Sequence, residues 1–155
     1  MARTVSLLPA AASTAKRIAV LSRNLVEHDL PWAWTPGRVA RCIADHETVV
    51  LGAMDNNIVA GFCIMQYGDE EAHLNLLAVT PEYRLQGIGA RMVRWLEESA
   101  TVAGIFQVRL EVRETNIGAI RFYSTLGYHR QRTIKAYYSG LENAVRLERN
   151  LRLQH

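Results

Sequence analysis

The sequence predicts a mixed α/β fold: one sheet with helices laid on it. Three observations point there. Strand-like apolar runs follow one another between residues 48 and 79. A helix-length amphipathic stretch then separates two such runs, as in a strand–helix–strand crossover. A shorter helical pattern comes before two closing strands, so antiparallel and crossover connections share one sheet. With 155 residues the chain suits one domain of ordinary size.

Composition narrows the function classes. The apolar fraction of 49% supports a core and argues against disorder. Lys+Arg 18 against Asp+Glu 15 leaves +3, and the arginines are dispersed, so no polybasic arm for nucleic acid is present. Cys42 and Cys63 sit among apolar neighbours and read as small buried hydrophobes. Neither a disulfide framework nor a Cys-x-x-Cys metal signature is expected. Leu7 to Ala15 lacks secretory organisation and no apolar run approaches a membrane span, which makes the cytoplasm the expected compartment.

In chain order, Thr4 to Ala10 reads as an edge strand. Ser13 or Thr14 opens a helix with Ile18, Leu21 and Leu25 on one stripe. The prolines of residues 31–37 make a loop, and Thr35 with Pro36 starts a second helix that turns Val39, Cys42 and Ile43 inward. Trp32 and Trp34 in that loop either plug the end of the core or wall an acceptor pocket. Thr48 to Met54, Ile58 to Tyr67 and Ala72 to Val79 form a meander joined at Asp55-Asn56-Asn57 and at the acidic turn Gly68 to Glu71. A helix to about Ala100 follows, with Ile88, Met92, Val93, Leu96 and Ala100 inward. Phe106 to Val112 alternates: Phe106, Val108, Leu110 and Val112 on one side, Gln107, Arg109, Glu111 and Arg113 on the other. Thr115 or Asn116 caps a short helix with apolar Ile117, Ile120 and Leu126, and Gly127 ends it. His129 to Tyr138 and Asn143 to Leu151 close the fold around Ser139-Gly140.

The stretch that carries chemistry is Arg84-Leu85-Gln86-Gly87-Ile88-Gly89, between the strand ending at Val79 and the long helix. Such a turn offers backbone N–H groups at a helix N-terminus to a phosphate, and Gly87 and Gly89 let a ligand come close. No Lys-Ser or Lys-Thr follows, and the glycine spacing is not that of a dinucleotide fingerprint.

Leu77-Ala78-Val79 followed by Arg84-Leu85-Gln86-Gly87-Ile88-Gly89-Ala90 resembles the acetyl-coenzyme A signature of the GNAT N-acetyltransferases, Arg/Gln-x-x-Gly-x-Gly/Ala. Residues 110–128, from Leu110-Glu111-Val112 through Asn116 and Phe122-Tyr123 to Gly127-Tyr128, resemble the family's second signature, most closely in the RimI branch. Those are bacterial enzymes that acetylate the N-terminal alanine of a small-subunit ribosomal protein; Pro31-Trp32 and Tyr137-Tyr138 also fit the branch. The resemblance implies a single acyl-CoA N-acyltransferase domain over residues 1–155, with acetyl-CoA as cosubstrate and no metal. It implies that Leu85, Gln86, Gly87, Ile88, Gly89 and Ala90 hold the pyrophosphate. Leu77, Ala78 and Val79 would hydrogen-bond the pantetheine arm, and Asn116 would touch the cofactor. Glu111 corresponds to the base and Tyr123 to the acid. The implied partner is a protein N-terminus, with neither nucleic acid nor membrane bound directly.

Physical chemistry supports parts of that scheme. The attacking amine must be neutral, and deprotonating a lysine near neutrality costs roughly 3 kcal/mol more than an α-amine. An N-terminal acceptor therefore needs only a modest base. A phenol is a proton donor at neutral pH, which suits Tyr123 to a departing thiolate. Asn116, Ile120 and Tyr123 share a helix face by their spacing. Blander readings stand beside these: Asn116 as a cap only, Tyr123 as packing, and Glu111 as a solvated charge paired with an arginine. His73, on a strand face with Asn75 and Leu77, either relays a proton or is a satisfied surface histidine. Asp69, Glu70, Glu71 and Glu142 would attract a basic tail. Three departures fall on the acceptor side: Leu76 stands where the branch usually has asparagine, with Asn75 one position earlier; the link after Tyr138 is shorter than usual; and near Asn143 an amide replaces an expected acid. The alternatives are a GNAT enzyme for a small amine or a lysine side chain, a non-catalytic acyl-CoA binding module, and an RNA-binding protein.

Overall fold

The computed structural model describes residues 4–153; the two ends of the expected 1–155 domain lie outside them. Four α-helices and seven strands alternate as β1 (Ser6–Pro9), α1 (Ala15–Leu25), α2 (Pro36–Ala44), β2 (Thr48–Asp55), β3 (Ile58–Tyr67), β4 (Ala72–Val79), α3 (Ile88–Val102), β5 (Gln107–Arg113), α4 (Ile117–Thr125), β6 (His129–Tyr138) and β7 (Glu142–Asn150). The strands form one sheet in the order β1-β2-β3-β4-β5-β7-β6. All neighbours are antiparallel except β4 and β5, the pair that α3 connects. A parallel pair needs such a crossover, because no short turn can return a chain to the same direction.

The helices cover the sheet unequally. On one face, α3 and α4 meet Leu51, Cys63, Met65, Leu74, Val108, Leu110, Val145 and Leu147. On the other, α1 and α2 meet Val50, Phe62, Ile64 and Leu76. Trp34 lies in this second core, 8% exposed, with the Arg38 guanidinium 3.6 Å from its ring centroid. Trp32 donates its indole N–H to Ala19 O at 3.2 Å. The two tryptophans thus take the plug reading.

Local chemistry sets most boundaries. Thr35 caps α2 by accepting from the Arg38 amide, and Asn116 caps α4 by accepting from the Ala119 amide at 3.1 Å. Thr14 does not cap α1; its hydroxyl donates to Ala11 O at 2.7 Å, inside a 3₁₀ turn over Ala12–Thr14. Ile117, apolar though it is, is 54% exposed at the first position of α4.

A single extra residue in β4 reorganises the centre. Met65 pairs with Leu74 and Ile64 with Leu76, so Asn75 is a β-bulge. Strict alternation fails there. Leu74 packs toward α3, while Leu76 packs toward α1 and α2. Leu77 then returns to the α3 side, so it does not share a face with His73 as the pattern predicts.

The core also holds a carboxylate that helical periodicity does not reveal. Glu97 on α3 is buried and accepts from Arg149 on β7 at 2.9 Å, from Tyr128 at 3.0 Å and from Arg94 at 2.7 Å. These bonds tie α3 to the last strand. Removing the carboxylate strands Arg149 beside the core, and breaking such a pair costs several kcal/mol. Glu97→Ala is expected to lower the unfolding free energy by about 3 kcal/mol, read by urea denaturation.

Candidate active site

The bulge is where β4 and β5 part. Their pairing covers only Ala72↔Val108, His73↔Arg109 and Leu74↔Leu110. Beyond it β4 stays with β3 as far as Gly61↔Val79, and β5 stays with β7 as far as Arg113↔Ala144. The β5-facing main chain of residues 75–79 is therefore left without a ladder. Unpaired N–H and C=O groups demand partners, and a slot of this kind suits an extended amide-containing arm. The expected pantetheine contacts, Leu77, Ala78 and Val79, all lie along it.

Val79 leads into the glycine turn. Leu85 at φ 63° and Gly87 at φ 78° are both left-handed, and Leu85 is fully exposed. Arg84 Nε donates to Val79 O at 3.0 Å, folding the turn back on the strand. The first intrahelical bond of α3 runs from the Arg91 amide to Gly87 O at 3.0 Å. The amides of Ile88, Gly89 and Ala90 come before it and have no partner within the helix. Concave loops with alternating hand and free amides bind anions, so Leu85 to Ala90 fit a pyrophosphate. The two glycines do different work. A Cβ on Gly87 would meet nothing within 4 Å, so what the glycine permits there is the left-handed backbone; one on Gly89 would lie 3.1 Å from Phe122 of α4. At Gly89 the absent side chain also makes room for the Phe122 ring. Asn116 stands at the start of α4 with its side chain engaged in the cap.

The two residues matched to acid and base lie on opposite sides of the sheet. Tyr123 is buried on the α3 side, edge-on to Phe122 and Tyr128 at centroid distances of 5.0 and 5.6 Å. Burial, with smaller contributions from Cys63 and Tyr138, holds its hydroxyl protonated well above the usual tyrosine range. Cys63 is the cross-strand partner of Leu77, which puts Tyr123 under the slot.

Glu111 lies on the other face, its side chain 3% exposed. It is not a solvated charge. Oε1 meets His73 Nε2 at 2.5 Å and accepts from the Tyr137 hydroxyl at 3.1 Å; Oε2 accepts from Arg146 Nε at 2.9 Å. Burial alone would raise its pKa, but the bonds from His73, Arg146 and Tyr137 outweigh burial and bring it down to about 2. Nor is His73 a free surface group, since that bond joins the ring to β5. Arg146 is the direct cross-strand neighbour of Glu111, a pairing that alternation permits but that only the register reveals. Tyr137 reaches the cluster because β6 is irregular between Ile134 and Tyr138, where Ala136 has φ 53° and its amide donates to Asn143 Oδ1 at 2.9 Å. Asn143, noted as a departure, thus holds the bend that aims Tyr137.

A clasp closes the C-terminal end of β5. Arg113 donates to Val26 O and His28 O, both at 2.7 Å, and pairs with Glu142 at 3.0 Å, joining the loop after α1 to the β6–β7 hairpin. Glu142 is committed there, and Glu71 is committed to Arg109 at 2.6 Å. Asp69 and Glu70 line a hollow with Phe106 and Gln107 at the far end of β5. The four carboxylates therefore do not form an acidic funnel at the slot. Among the described residues no group of three or more His, Cys, Asp or Glu is arranged to hold a metal.

Comparison with known proteins agrees with this fold. The family model of the acetyltransferase (GNAT) family matches residues 19–128. The chain belongs to the GNAT family. Among curated relatives of this GNAT protein, the [ribosomal protein bS18]-alanine N-acetyltransferase of Escherichia coli strain K12 is 34% identical over 93 residues; the match spans 58% of this chain and 63% of that protein. The Salmonella typhimurium protein of the same description is 28% identical over 141 residues, 83% of this chain and 93% of its own. Among solved structures, Arabidopsis thaliana NAA60 in complex with acetyl-CoA gives a TM-score of 0.85 at 16% identity, covering 97% of this chain and 100% of that one. The ribosomal-protein-S18-alanine N-acetyltransferase from Escherichia coli gives 0.76 at 24% identity, covering 98% and 97%. At these identities the structures share the fold of this GNAT chain.

The depressed Glu111 carboxyl links the site to stability. Folding favours its ionised form, so the stabilisation is in place above the ordinary glutamate range of about 4 and is lost as pH falls toward about 2. Urea unfolding in that acid window is expected to show a steeper loss of stability for the natural chain than for Glu111→Gln.

Proposed function

We propose that this protein transfers an acetyl group from acetyl-coenzyme A to the N-terminal α-amine of a protein. The foremost candidate is the N-terminal alanine of a small-subunit ribosomal protein. The observation that carries this reading is the parted β4–β5 pair, flanked by an amide-rich turn at one end and by proton-handling groups on both faces. Acetyl-CoA, when bound, supplies an activated thioester. Leu85 to Ala90 hold its phosphates, residues 77–79 align its arm, and backbone N–H groups there face the oxygen on which negative charge grows. Tyr123, kept protonated by burial, gives a proton to the departing sulfur. The amine's proton leaves toward the Glu111 cluster.

The acceptor assignment draws support from the bS18-alanine N-acetyltransferase relatives and from pKa arithmetic. An α-amine needs far less help to become neutral than a lysine. We place the enzyme in the cytoplasm, where nascent ribosomal proteins are found; no helix among the described residues is long and apolar enough to cross a membrane. A small amine or lysine acceptor is the second reading.

Thiol release from acetyl-CoA separates the readings. Alanine-initiated peptides are expected to turn over at least about tenfold faster than polyamines, aminoglycosides or N-terminally blocked lysine peptides. Faster turnover of those amines would exclude the N-terminal assignment. Tyr123→Phe is expected to reduce kcat by about a hundredfold with cofactor affinity unchanged in calorimetry. Gly87→Val, which forces a branched residue into a left-handed turn, is expected to weaken that affinity more than about tenfold while lowering the thermal midpoint by only a few degrees.

A further inference from the structure

Glu111 is badly placed to receive a proton from an acceptor. Both its oxygens are engaged, three groups donate to it, and its side chain is almost sealed from solvent. His73 differs in each respect. Its side chain is 20% exposed, on the strand that borders the slot, one residue before the pairing with β5 ends. Nε2 points across to Glu111. Nδ1 points the other way, toward Asn75 in the bulge, whose Nδ2 is 3.4 Å from it.

An ionised carboxylate only accepts hydrogen bonds. The His73 nitrogen facing it must therefore carry the hydrogen, which leaves Nδ1 with a lone pair directed along β4 toward the opening. Asn75 fits both protonation states. Its Nδ2 donates to the neutral ring, and its Oδ1, buried with no partner, becomes an acceptor for a protonated Nδ1 once the amide turns over.

We propose that His73 Nδ1 is the general base of acetyl transfer, that Glu111 is the positioning residue that fixes the ring tautomer and balances the imidazolium, and that Asn75 receives the new N–H. This rests on the acetyl-transfer reading above and names the atom at which the proton arrives. The balance is simple. The amine nitrogen forms a bond to the acetyl carbon and loses one proton to Nδ1. The carbon–sulfur bond breaks with its electron pair on sulfur, which takes the Tyr123 proton. Solvent carries the His73 proton back to the Tyr123 phenolate, so the products are amide and thiol. The other charged or titratable groups facing His73 are Arg109 and Glu111 on β5, Tyr137 on β6, Arg146 on β7, and Glu71 before β4. Glu71 is paired with Arg109, and Tyr137 and Arg146 are bonded to Glu111; the Nδ1 lone pair is held only by the long 3.4 Å contact from Asn75 Nδ2, which the acceptor displaces as the amide turns over.

Two measurements test the assignment. Nitrogen-15 NMR of the histidines, without any cosubstrate, is expected to show His73 at neutral to mildly alkaline pH as the Nε2–H tautomer with Nδ1 bare. In Glu111→Gln the two tautomers are expected to mix. The second measurement is the pH dependence of kcat with the best amine acceptor. The natural enzyme is expected to lose rate on the acid side. His73→Gln is expected to lose at least about a hundredfold and that acid limb together, with acetyl-CoA affinity retained. In His73→Ala, added imidazole is expected to restore rate, which a purely structural role would not allow. An Nδ1–H tautomer, or a His73→Gln enzyme with normal kcat and an unchanged acid limb, overturns the proposal while acetyl transfer itself stands. A natural chain that acetylates no amine overturns both.

Discussion

The centre of this protein is a hydrogen-bond ladder that stops early. After three residue pairs, β4 and β5 cease to bond although both strands continue. The cause is local: one extra residue at Asn75 changes the phase of β4, so even-numbered side chains face α3 before it and odd-numbered ones after it. The consequence is chemical. A strand that keeps one neighbour and loses the other is a half-made sheet, held open inside a folded domain. Its exposed main chain can accept an extended ligand as the missing strand, without any change in the protein beforehand.

The opening separates two electrostatic environments. On the α3 side the surroundings are apolar and aromatic, and a phenol there keeps its proton. On the other side no helix covers β5, β7 and β6 as fully, and charged groups gather around Glu111. The Tyr123 phenol and the Glu111 carboxylate are thus kept apart by the thickness of the sheet.

Much of this was legible from residues. The meander, the crossover and the amide turn follow from alternation, helical period and glycine placement, and the caps at Thr35 and Asn116 follow from side chains that accept from backbone amides. The rest depends on register. Nothing in the run Ala72 to Val79 marks Asn75 as the surplus residue, since every position there tolerates either face. Arg146 opposite Glu111 requires knowing which residues of two distant strands meet. Glu97 looks like one more surface acid until Arg149 and Tyr128 are brought to it. The pull expected of the acidic residues on a basic tail depends on register too: Glu71 and Glu142 carry charge in the sequence, but arginines far away in the chain pair with them.

The last strand, β6, ends the sheet with Arg130, Arg132 and Lys135 exposed and with its pairing to β7 broken twice. Ala136 and Ser139 both take left-handed backbone there. A flat border of unpaired amides invites another chain to zip alongside. This one is bent and positively charged, so two copies meeting along it would lose register within a few residues and repel each other. The distortion that brings Tyr137 to Glu111 thus also makes this edge a poor template for a further strand.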